Sequence, residues 1–140
     1  MHDLEQITIA VERAIEEHTP DLLAAACCKP AWRRMYLPMH EEGCPATTGF
    51  CSAGAEAVYY LGGGRAAGLR PFYSVHWDEG VRETHWWIED EDGNIYDPTA
   101  AQFEDVDPLY DEGRPCGFQS PKKQPTPLAR EIMDRALRYL

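Results

Sequence analysis

Apolar residues at Leu4, Ile7, Val11 and Ile15 recur at intervals of three and four, with acidic residues on the opposite side. That period predicts an amphipathic helix. Thr19 is placed to cap a second helix, with Pro20 at its first position and Asp21 behind it. Leu22, Leu23 and Ala24 to Ala26 continue that helix towards Lys29-Pro30. Residues 38–49, PMHEEGCPATTG, are rich in turn formers and read as a loop. The run CSAGAEAVYYL then proposes a third helix, stopped by glycines 62–64, with Cys51 in its first turn.

Beyond the glycines the composition shifts to aromatic and β-branched residues. RPFYSVHWD (70–78), THWWIED (84–90) and NIYDPT (94–99) predict three short antiparallel strands, the last two a hairpin around Glu91-Asp92-Gly93. Residues 104–127, rich in Pro, Asp and Gly, read as irregular surface loop. Leu128, Ile132, Ala136 and Leu140 mark a closing helix. Helices, then a small sheet, then a helix is an α+β order.

The 140 residues suit a single domain over 1–140, and 44% hydrophobic content places the chain among globular proteins. A formal net charge of −11 argues against a nucleic-acid or anionic-membrane surface. No stretch approaches the roughly 20 apolar residues of a membrane span. The start, MHDLEQ, lacks a signal-peptide layout, so a cytoplasmic location is expected. Five cysteines with no C-x-x-C pair argue against a disulfide framework and against zinc. Cys27 and Cys28 read as core or helix surface, and Cys44 and Cys116 fall in turn-rich segments. No metal and no cofactor are expected.

Cys51 is the residue that changes the picture. The first helical turn carries unpaired N–H groups and the positive end of the macrodipole, so a thiol there is expected to lose its proton more easily. The competing reading is a small buried residue under a tight turn. Thiol chemistry also needs a base and a group that orients it. His2 and His18 lie near the first helix and His40 in a loop, leaving the strand histidines His76 and His85. If Glu91-Asp92-Gly93 is a three-residue loop, Asp90 faces Asn94, Ile88 faces Tyr96 and Trp87 faces Asp97. His85 then shares a face with Asp97 as a diagonal neighbour, about 7–8 Å between backbones. His76 is the reserve base.

A helix-leading Cys, a strand His followed by an aromatic, and Asp-Pro-Thr closing the next strand resemble the transglutaminase-like and papain-like cysteine fold. FCSAGAEAVYYLGG, THWWIEDEDGNIYDPTAAQF and GRPCGF are also similar to small proteins of bacteria and their phages. The resemblance covers about residues 44–118. It implies an α+β papain-like fold, with the Cys helix on a small antiparallel sheet. It also implies Cys51 as nucleophile, His85 as general base and acid, and Asp97 as orienter. Gln102 and Phe103 match the motif and are assigned structural roles. The expected activity is hydrolysis or acyl transfer at an amide through a thioester, with a peptide or protein substrate. One departure stands out: the loop before Cys51 holds no Gln to complete an oxyanion hole. Thr47, Thr48, Trp32 or Trp86 are the alternative donors. That departure keeps open a second reading, a protein-binding module of the same fold without turnover.

Overall fold

The computed structural model describes residues 3–26, 50–78, 81–102, 110–118 and 124–140. His2, His40, Cys27, Cys28, Cys44, Trp32, Thr47, Thr48, Phe103, the 38–49 loop and the side chains of His76, Trp77 and Gln102 lie outside the described residues.

The first helix, α1 (Leu4–Glu17), starts where Asp3 caps it: its carboxylate accepts from the Gln6 N–H at 2.7 Å. The expected face is buried, with Ile7, Val11 and Ile15 joined by Ala10 and Ala14. α2 (Thr19–Ala26) follows after one residue. Thr19 does not cap it as expected. Its hydroxyl turns back to the Ile15 carbonyl of α1 at 2.6 Å, because the two helices abut and that carbonyl is in reach. α3 (Cys51–Leu61) is buried without interruption from Ala53 to Val58, since it packs between α1, the sheet and the C-terminal helix. α4 (Pro127–Ala136) is capped by Thr126, whose hydroxyl accepts from the Ala129 N–H at 3.3 Å. The same hydroxyl donates to the Glu56 carboxylate at 2.7 Å, tying α3 to the start of α4, and burial pushes Glu56 above the usual carboxylate range.

The sheet is antiparallel with strand order β3-β2-β1-β4. β1 (Arg70–Asp78) has the expected bounds, and β2 (Val81–Glu89) begins three residues before the expected Thr84 because it pairs with β1 along its whole length. β3 (Ile95–Tyr96) is shorter than expected. β4 (Arg114–Pro115) is a correction: it lies inside the segment expected to be irregular and adds to β1 opposite Phe72 and Tyr73. Two residues paired to a strand distant in sequence leave no period to read.

Alternation along β2 divides the molecule. Trp86 and Ile88, with half-buried Tyr73 and Tyr96, join the core formed with α1, α3 and α4. His85 and Trp87 point to the other face, where Phe72 stacks on Trp87 at 6.3 Å and Tyr110 meets it edge-on at 5.0 Å. Among the described residues no helix is long and apolar enough to cross a membrane.

Candidate active site

The hairpin forms on the three-residue loop. The Gly93 N–H bonds the Asp90 carbonyl at 3.1 Å, and Gly93 adopts φ +80°. That left-handed value is the one this loop needs, and glycine adopts it without steric cost. The Asp90 side chain reinforces the turn by accepting from the Asn94 N–H at 2.9 Å. The register follows, with Ile88 opposite Tyr96 and Glu89 opposite Ile95. Asp97 is thereby delivered to the face of His85.

There the two side chains meet. His85 Nε2 and Asp97 Oδ2 are 2.6 Å apart, with side-chain exposures of 1% and 4%. The carboxylate accepts from other donors as well. The Tyr110 hydroxyl donates to Oδ2 at 2.7 Å. The Thr99 N–H donates to Oδ1 at 3.1 Å, and the Thr99 hydroxyl lies 3.4 Å from the same oxygen. Both oxygens are used, which fixes the carboxylate plane and through it the imidazole. His85 also stacks on Trp87 at 5.8 Å. Thr99 had a sequence signal, because Asp at the head of a turn bonds the backbone two residues on. Tyr110 had none: it arrives from the segment without periodicity.

Cys51 reaches β2 at the main chain that flanks His85. Gly54, one turn further along α3, lies against the Asp97-Pro98-Thr99 turn. A Cβ there would stand 3.2 Å from Thr99 Cγ2 and 3.3 Å from Pro98 Cγ. The absence of a side chain lets the helix N-terminus come up to the turn. β3 ends at Tyr96, so its pairing leaves the outer edge of β2 before Ile88. The Cys51 sulfur occupies that edge. It donates to the Thr84 carbonyl at 3.7 Å, and the Trp86 backbone N–H faces it. The sulfur therefore touches main chain on both sides of His85. The carbonyl that accepts from it belongs to Thr84, next to His85 in the chain.

The thiol is not acidic in this setting, contrary to the expectation from the helix N-terminus. Burial pushes it up from 9.0 to about 11. The N–H groups of Trp86, Ser52 and Cys51 pull the other way, and the negative field of Asp97 adds to the rise. Desolvation of the thiolate outweighs three aligned N–H groups. The Trp86 donor is its main chain, whereas the sequence had suggested its indole. Trp86 and Trp87 are 9% and 0% exposed, so they are core and not open walls of a substrate channel.

Two surface grooves lie elsewhere: one of about 540 Å³ along Tyr73–Val75 and 111–114, and one of about 950 Å³ beyond the C-terminal end of α3. Among the described residues no group of three or more His, Cys, Asp or Glu side chains is arranged to hold a metal ion.

The class these features define is an α+β chain with a four-stranded antiparallel sheet, a buried His–Asp pair on it and a helix-leading cysteine at its edge. No protein-family model, no curated protein and no solved structure matches the chain.

Proposed function

We propose that the chain is a cysteine-dependent hydrolase or acyl transferase of papain-like or transglutaminase-like architecture, acting on an amide or peptide bond. The observation that carries this reading is the buried His85–Asp97 contact of 2.6 Å, with the Cys51 sulfur on the main chain of Thr84 and Trp86, the residues either side of His85. A buried imidazole held through Nε2 by a carboxylate has a fixed ring plane, which is what a base paired with a thiol needs.

Because the resting thiol is protonated, with a pKa of about 11, attack is coupled to proton transfer. The Cys51 sulfur adds to the carbonyl carbon as its proton passes to His85. The backbone N–H groups of Cys51, Ser52 and Trp86 offer donors where negative charge develops. His85 returns the proton to the leaving amine, and a thioester remains on Cys51. Water or an acceptor amine, deprotonated by His85, then releases the acyl group. The substrate is a peptide or protein. A second reading, a binding module of the same fold, is favoured by one observation: burial holds the thiol protonated, with its proton directed to the Thr84 carbonyl.

The test is acylation by p-nitrophenyl acetate at pH 7, followed by mass spectrometry of the digested protein. A thiol with a raised pKa and no base reacts more slowly than an ordinary thiol, since the thiolate is the nucleophile. Labelling of Cys51 ahead of Cys116, slowed roughly 100-fold or more in His85→Ala, is the expected result. Equal labelling of Cys51 in His85→Ala and wild type would overturn the catalytic reading in favour of the binding module.

A further inference from the structure

The smaller groove lies on the sheet face that carries His85. Phe72 stacks on Trp87 there, so Ser74, two residues on in β1, turns its side chain to the same side. The turn at Tyr110–Glu112 comes over that face too, since Tyr110 meets Trp87 edge-on and a Cβ on Gly113 would run into the Trp87 ring. Between this turn and β1 is a space of about 540 Å³ with Ser74 on its wall, within the range that holds a small ligand.

The groove offers acceptors. Ser74 is 2% exposed, and its Oγ is buried with no hydrogen-bond partner among the described residues. Buried hydroxyls are as a rule paired, so this one is left to serve a ligand. The backbone adds a second acceptor. The Pro71 carbonyl accepts from the Cys116 N–H on the β4 side at 3.0 Å. Alternate residues of a strand present their backbone groups to the same side, so the Val75 carbonyl faces that side as well. β4 pairs with Phe72 and Tyr73, which leaves Val75 past its end and on the groove wall.

The rim is acidic. Asp111 and Glu112 are exposed, and neither forms an ion pair among the described residues. Arg114 stands opposite Tyr73, whose ring stacks on Trp86, so its side chain leaves on the core face and away from Ser74. Arg70 is the opposing charge on the groove's own face, with its guanidinium over the Phe72 ring at 5.9 Å. These side chains do not group as a metal site. An ammonium has three N–H donors and no acceptor, which matches a hydroxyl, a carbonyl and a carboxylate.

We infer that this groove binds a primary alkylammonium, whose N–H groups donate to Ser74 Oγ, to the Val75 carbonyl and to a rim carboxylate of Asp111 or Glu112. The site is read from β1 and the Tyr110–Glu112 turn and does not depend on the catalytic reading.

The probes are n-butylamine, standing for a free amine, and Nα-acetyl-lysine N-methylamide, standing for a lysine side chain. Each is titrated into the full 140-residue chain, labelled with nitrogen-15, and followed by amide chemical shifts. Both shift the Val75 and Gly113 amides saturably, and the tighter of the two names the source of the ammonium. The n-butyltrimethylammonium ion, which keeps the charge and lacks N–H donors, binds at least about tenfold more weakly. Asp111→Asn/Glu112→Gln weakens amine binding at least about fivefold, and Arg70→Gln tightens it. Ser74→Ala removes a buried hydroxyl that nothing pairs, so it holds or raises the melting temperature while weakening amine binding about tenfold. A purely structural Ser74 would not produce those two effects together. Cys51→Ala binds the amines as wild type does. Equal affinity for the trimethylammonium ion, unchanged binding in the double acidic variant or in Ser74→Ala, loss of binding in Cys51→Ala, or no saturable shift at millimolar probe would each overturn the assignment.

Discussion

Asp97 is the acceptor on which three residues converge, so the size of the side chain matters less than its oxygens. Asp97→Ala removes the acceptor that His85, Tyr110 and Thr99 share. Removing one partner of a buried pair costs about 3–5 kcal/mol. Asp97→Asn keeps an acceptor oxygen and should cost nearer 1–2 kcal/mol, the order of an altered hydrogen bond. Tyr110→Phe keeps the edge-on contact with Trp87 and loses only the hydroxyl, for about 1–2 kcal/mol. Urea midpoints give the order Asp97→Ala, then Asp97→Asn and Tyr110→Phe. If Asp97→Ala is no worse than Tyr110→Phe, the carboxylate does not organise the site. Cys51 supplies a pH signature. Its folded pKa, about 11, lies above the ordinary 9.0, so folding favours the protonated thiol. The resulting stability is fully present below pH 9.0 and is lost as pH rises through about 11. Across that window wild type should lose roughly 2–3 kcal/mol more than Cys51→Ala, while tyrosine titrations common to both cancel. Parallel stability curves for the two chains would mean the sulfur is solvated.

The hairpin is where an element decides the site. With only two residue pairs between β2 and β3, its register rests on the Asp90–Asn94 turn. A Cβ at Gly93 meets nothing within 4 Å, so Gly93→Ala changes backbone conformation alone. At φ +80° the expected loss is about 1–2 kcal/mol, smaller for Gly93→Asn. Gly93→Ala should also slow Cys51 acylation, because Asp97 is delivered through this turn. Equal stability of Gly93→Ala and wild type would mean that the register is held elsewhere. This turn was legible beforehand because glycine at the third position of a three-residue loop selects one pairing. β4 was not legible, because two residues carry no alternation. Thr19 was misread for a related reason: a hydroxyl between two helices has two backbone targets, and packing chose the carbonyl behind it.

At the scale of the whole molecule, charge is the dominant unbalanced quantity. The formal −11 is relieved among the described residues by few ion pairs, and those of Arg13 and Arg135 are near the surface. Self-repulsion of this kind is screened within about 10 Å at 0.1 M salt. Raising sodium chloride from about 10 to 200 mM should therefore raise the melting temperature. A fall would show that the surviving ion pairs outweigh the net repulsion.

The sequence by itself determined the helix faces of α1 and α4, the bounds of β1, the α+β order and the register that joins His85 to Asp97. Each rests on a short-range period or on a turn residue with one permitted geometry, so neighbours in the chain suffice to specify it. Tertiary structure decided the rest. Tyr110 reaches Asp97 across the sheet, and Glu56 finds Thr126 between two helices. Above all, it decided the state of the Cys51 thiol. A helix N-terminus promised a lowered pKa, and the helix is where it was expected. Yet the sulfur is packed against the edge of β2, and withdrawing a thiolate from water costs more than the N–H groups there return. Local pattern names which groups face one another; only the assembled fold sets how much water they keep.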